Sequence, residues 1–147
     1  MQYGPSPEPG SGSGARTQVL VVEDDAGVAA LLVDVLRQEG YLAVSVSDGV
    51  AALRFLKTSE RPCLILLDLL MPAMDGFEFR RLQRSDPVLG SIPVAVISAV
   101  AAWYKTENPM GAVAYIDKPL EMNRVLATVM QHCGLPVQRG RGTLAAW

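Results

Sequence analysis

Five times along this chain a short apolar run is followed by a stretch of helical periodicity, and most of the runs end in polar residues. QVLVV (18–22) is apolar on both faces and bounded by acids, the pattern of a strand buried in a parallel sheet. Val28, Leu31, Leu32, Val35 and Leu36 then recur at helical spacing, and Gly40 closes that helix. AVSV (43–46) predicts a second strand and Val50–Lys57 a second helix. LILL (64–67) predicts the third strand, and Gly76–Arg84 a helix with Phe77, Phe79 and Leu82 as its apolar positions. PVAVI (93–97) is the fourth strand, followed by a weak helix from about Ala99 to Lys105. VAYI (113–116) is the fifth, and Met122, Val125, Leu126, Val129, Met130 and Cys133 mark the inner face of a last helix. Strands and helices in strict alternation imply right-handed crossovers and a parallel sheet covered on both faces. Such sheets bind ligands outside the carboxyl ends of their strands.

The length of 147 residues fits one domain. Ten of the first fourteen residues are Gly, Pro or Ser, which predicts a disordered leader or linker over 1–16, a folded unit over 17–133 and a tail over 134–147. A net charge of −2 gives no global attraction to nucleic acid or to an anionic membrane; Arg139 and Arg141 in the tail are two solvated charges. No apolar run approaches the roughly 18 residues of a membrane span, so a cytoplasmic protein is expected. Cys63 and Cys133 show no metal-ligand spacing and are expected as free thiols. His132 is expected at the surface.

The chemistry-bearing residues fall at the strand ends. Glu23, Asp24 and Asp25 end the first strand, Asp68 the third and Ser98 the fourth; Asp117-Lys118-Pro119 follows the fifth. Taken singly, each has an ordinary explanation: Asp24 or Asp25 as a helix cap, Asp68 as a turn residue, Ser98 as a cap, Lys118 as a solvated lysine. Taken together, they share one sheet edge. Carboxylates crowded there repel one another unless a cation joins them, and hard oxygen ligands suit Mg²⁺. A cation, a lysine and a hydroxyl around one carboxylate are the groups that phosphoryl transfer uses. An aspartate with no neighbouring base can itself be the nucleophile.

VLVVEDD, LDLLMPAMDGFE, VISA and GAVAYIDKP, in this order and on these strands, resemble the receiver domain of two-component response regulators, from about Gln18 to Cys133. The resemblance implies a flavodoxin-like doubly wound fold with strand order 2-1-3-4-5. It implies that Asp68 is the phosphoacceptor and Asp24 a direct Mg²⁺ ligand. Glu23 would act through metal-bound water, and the backbone carbonyl of Leu70 would complete the protein's share of the metal shell. Lys118 would contact the phosphoryl oxygens, with a cis peptide before Pro119. Ser98 would be the switch hydroxyl, Ala99 would leave room for the phosphoryl group, and Tyr115 would be the aromatic switch.

The implied donor is phosphohistidine on a histidine kinase or phosphotransfer domain, docking near the first helix. Output to a downstream protein would leave from the fourth helix, fifth strand and fifth helix, in a monomer or a phosphorylation-dependent dimer. Direct nucleic-acid or membrane binding is not expected, nor is enzymatic turnover beyond transfer onto Asp68 and slow hydrolysis. Two other readings stand beside this one: a binding module that keeps the fold but not phosphorylation, and an aspartate-nucleophile phosphohydrolase. The second would carry an aspartate two residues past the nucleophile, where this chain has Leu70.

The chain departs from the pattern between Ser98 and Lys118, an interval shorter than the family's. Pro109 disfavours helical geometry at Asn108, so a short or irregular fourth helix is expected. Trp103-Tyr104 in this segment serve either as an exposed partner anchor or as core.

Overall fold

The computed structural model describes residues 18–136; the leader, and the tail beyond Pro136 with Arg139 and Arg141, lie outside the described residues. The strands are β1 (Gln18–Val22), β2 (Leu42–Val46), β3 (Leu64–Leu67), β4 (Val94–Val96) and β5 (Ala114–Tyr115). The helices are α1 (Ala26–Gln38), α2 (Gly49–Thr58), α3 (Gly76–Ser85), α4 (Ala102–Glu107) and α5 (Met122–Cys133), with a 3₁₀ turn at Leu89–Ser91. All pairings are parallel and the order is β2-β1-β3-β4-β5, so the direction of winding reverses at β1 and β3.

Alternation along the strands divides the core in two. Leu20, Val22, Ile65, Leu67, Val94 and Val96 face α2 and α3 and pack with Ala52, Leu56 and Phe79. Val19, Val21, Leu64, Leu66 and Ala95 face the other side with Leu32 and Leu36 of α1 and Val125 and Val129 of α5. A strand apolar at every position is what two covered faces require.

Aspartate caps start three helices. Asp25 accepts from the Gly27 and Val28 amides, Asp48 from Ala51 and Asp75 from Glu78. After α1, Gly40 takes φ 98°, open to glycine at little cost.

The structure corrects four expectations. The inner face of α3 is Gly76, Phe79, Arg80 and Gln83, while Phe77 is exposed. Arg80 donates to the carbonyls of Met110 and Gly111 and to Gln83 Oε1; Gln83 donates to the carbonyls of Leu89 and Ile92. A buried polar pair here satisfies the irregular backbone on either side of β4, which no apolar side chain does. On α5, Met130 is exposed, because the buried stripe runs through Val125, Thr128 and Val129.

Helix α4 begins at Ala102, three residues later than expected, because Ala101 is still extended. It ends at Asn108, in the left-handed region at φ 48°. Cys63 and Cys133, expected as free thiols, form a disulfide. They are 70 residues apart in sequence, but β3 starts and α5 ends at the same edge of the sheet, 5.3 Å apart Cα to Cα. His132 is half-buried beside them.

Candidate functional site

Pairing register brings the strand ends together. The Asp68 amide donates to the Val22 carbonyl and the Ile97 amide to the Leu67 carbonyl. Glu23 and Asp68 therefore follow directly on the paired residues Val22 and Leu67, Ser98 stands two residues past Val96 at the end of β4, and all three are buried. The next residues, Asp24 and Ala99, are exposed.

The loop after β3 folds back over Asp68. The Leu70 amide donates to Asp68 Oδ1 at 3.3 Å, with the Leu70 side chain turned to solvent. The Gly76 amide donates to the Leu69 carbonyl at 2.9 Å, setting the start of α3 against the loop. A side chain at Gly76 would put a Cβ 2.5 Å from the Asp68 carbonyl oxygen and 2.7 Å from Leu69 Cα, so only glycine fits this turn.

Lys118 enters from the loop after β5, where its peptide bond to Pro119 is cis. Its Nζ lies 2.7 Å from Glu23 Oε1 and 3.4 Å from Asp68 Oδ2. Burial works to lower its pKa, but the hydrogen bond to Glu23 and the charge of Asp68 outweigh burial and hold the ammonium above its ordinary range. Burial raises the Glu23 carboxyl above the usual carboxylate range, against the opposing pull of Lys118. Neighbouring Asp117 turns outward and pairs with Lys105 at 2.9 Å.

Glu23, Asp24 and Asp68 each bring a carboxylate oxygen within 4.8 Å of the others. Only two of the three carboxylates pair with an ammonium, that of Lys118, and this excess of hard oxygen donors, one of them facing solvent, fits a small divalent cation that keeps several waters. Asp25 stands apart from the cluster: its carboxylate caps α1, and its amide donates to Glu23 Oε2.

Tyr115 is half-buried on β5, edge-on to Tyr104 at 6.2 Å, and its hydroxyl donates to Asn108 Oδ1. Trp103 is exposed, whereas Tyr104 packs against Phe77, Trp103 and Tyr115. Of that pair, then, Tyr104 packs against the core and Trp103 stands in solvent. Asn108, Arg80 and Gln83 escaped the sequence reading. Arg80 and Gln83 had a signal, since Gly76, Phe79, Arg80 and Gln83 form a stripe at i, i+3, i+4 and i+7. An apolar cleft of about 590 Å³ adjoins the site, lined by Val28, Leu31, Lys118, Pro119, Leu120 and Met122.

Residues 19–130 match the response regulator receiver domain family. Among relatives, the DNA-binding response regulator MtrA of Mycobacterium tuberculosis is 36% identical over 121 residues, covering 78% of this chain and 49% of that protein. Sporulation initiation phosphotransferase F of Bacillus subtilis is 31% identical over 120 residues, covering 80% of this chain and 94% of that one. The chain thus spans about half the length of the DNA-binding regulators it matches. The signal receiver domain of a histidine kinase from Syntrophus aciditrophicus superimposes with a TM-score of 0.73 at 31% identity, covering 85% of this chain and 93% of that one. The receiver domain of sensor histidine kinase PA1611 from Pseudomonas aeruginosa, with a magnesium ion coordinated in its active-site cleft, gives 0.72 at 26% identity over 80% of this chain and 98% of its own.

Proposed function

Because the chain belongs to the response regulator receiver domain family of two-component systems, we propose that Asp68 is its phosphoacceptor. The observation that carries this is the placement of one ammonium, Lys118, between the buried carboxylates of Asp68 and Glu23, with Asp24 beside them at the open end of the central strands.

Asp68 attacks the phosphorus of a phosphohistidine on a kinase or phosphotransfer partner. The P–N bond breaks as the P–O bond of an acyl phosphate forms, and the imidazole leaves with the electron pair. Lys118 balances charge on the phosphoryl oxygens, and the Ser98 hydroxyl donates to one of them. Asp24, Asp68 and the Leu70 carbonyl would hold Mg²⁺ directly and Glu23 through a bound water, and the ion supplies charge neutralisation when bound. Ala99 adds no bulk where the phosphoryl group must sit. The apolar cleft against α1 supports docking of the donor there.

Phosphorylation adds charge and three acceptor oxygens, draws Ser98 inward, and repositions Tyr115 within the face formed by α4, β5 and α5. A downstream protein reads that face in the cytoplasm. The chain turns over no substrate beyond its own acyl phosphate.

Acetyl phosphate with Mg²⁺, followed by intact mass, tests this directly. A single phosphoryl adduct is expected, absent in Asp68→Asn; an adduct that persists in that variant overturns the assignment.

A further inference from the structure

The geometry points to a redox-modification site at the end of the sheet opposite Asp68: Cys63 and Cys133 form a dithiol pair that exchanges with small-molecule disulfides of the glutathione type. Cys63 directly precedes β3, whose other end carries Asp68; Cys133 ends α5, whose other end follows the Lys118–Pro119 loop. The pair therefore ties the far end of the helix that starts beside the phosphoacceptor site.

Two features separate this bridge from a buried structural one. Both cysteines are half-buried, and both line a cavity of about 360 Å³ open to solvent. Arg61, His132 and Ser91 line the same cavity. A guanidinium near a thiol favours the thiolate, the attacking species in exchange, and attracts the carboxylates of a glutathione-like molecule. In the cytoplasm, where the function proposed above puts the chain, a disulfide is more often redox-sensing than structural.

The chemistry balances with that reactant. One protein thiolate attacks the small-molecule disulfide, forming a mixed disulfide and releasing one small thiolate. The second cysteine displaces the other, closing Cys63–Cys133. Two protein thiols lose two electrons, one small disulfide gains them, and the two protons end on the released thiols.

When the bridge is open, the Tyr41 hydroxyl bond to the Gly134 carbonyl, at 2.7 Å, still tethers the end of α5. The helix end then has one clasp where it had two.

The test uses the full chain, reduced and then exposed to oxidised glutathione without denaturant. Both thiols should disappear with the loss of two hydrogens and no retained adduct, and a dithiol reductant should restore them. Cys133→Ser should trap a glutathione adduct on Cys63, and Arg61→Gln should slow the reaction several-fold. Amide exchange at residues 130–133 should be faster in the reduced protein. Thiols inert to oxidised glutathione, or a bridge reducible only in denaturant, would overturn the proposal. The wild-type measurement stands alone should the serine variant misfold. Asp68→Asn should behave identically, so the result is independent of the phosphoacceptor assignment.

Discussion

The Tyr115 hydroxyl donates to the side-chain oxygen of Asn108, the residue that ends α4 in a left-handed conformation. The same oxygen accepts from the Ala112 amide, and the Asn108 amide group donates to the Ala112 carbonyl, so one side chain closes the α4–β5 loop and tethers the aromatic on β5. Asn108→Ala should therefore cost about 1–3 kcal/mol, from a φ that alanine tolerates poorly and from lost hydrogen bonds. Asn108→Gly relieves the backbone only and should fall between the two. Urea unfolding measures both; an alanine variant as stable as wild type would show that the cap contributes nothing.

Gly76→Ala should destabilise by roughly 1–3 kcal/mol, since its Cβ has backbone rather than a flexible side chain to displace. The backbone that yields belongs to Asp68 and Leu69, so phosphorylation by acetyl phosphate should slow as well. Full activity in a destabilised variant would separate the turn from the site.

Arg80→Ala leaves the Met110 and Gly111 carbonyls and Gln83 without their donor. About 1–3 kcal/mol of stability should be lost for the groups stranded by burial. A double-mutant cycle with Gln83→Ala should show coupling, because the two side chains share one network; additive losses would argue against it.

Mg²⁺ should raise the unfolding temperature, since a ligand that binds only the folded state stabilises it by about 2.7 kcal/mol at a hundred times its Kd. EDTA should reverse the shift. Asp24→Asn should reduce it, removing one of three clustered carboxylates. An equal shift in that variant would place the cation elsewhere.

Above neutral pH the sign follows from tyrosine. Burial raises the Tyr41, Tyr104 and Tyr115 phenols above the ordinary value, so the unfolded chain releases these protons first. Their contribution is intact below the ordinary tyrosine pKa and is lost as pH climbs from there through the raised values. Tyr41→Phe should shed part of that alkaline loss while costing about 1 kcal/mol at neutral pH for the bond to Gly134. An unchanged alkaline slope would mean that Tyr41 ionises freely in the folded state.

The strands and most helix ends were legible because their causes are local. VLVV (19–22) and LILL are apolar at every position, and Asp25 sits where the first helix needs an acceptor. Helix α4 was legible only as irregular. Pro109 announces a break, but the cap at Asn108 depends on Ala112 and Tyr115 reaching it. The site was legible as a set of residues at strand ends. That Lys118 sits closer to Glu23 than to Asp68 was not, because it depends on how the cis loop enters the cleft.

By itself, then, the sequence determined the alternation of elements, the burial of the central strands and the polar residues that end the strands, all consequences of side-chain period and local hydrogen bonding. Only the tertiary structure decided the pairing of Cys63 with Cys133, the burial of Arg80 with Gln83 and the tether between Asn108 and Tyr115. Each of these joins groups whose partner is set by packing, and a polar or reactive side chain carries no local mark of what the folded chain will place beside it.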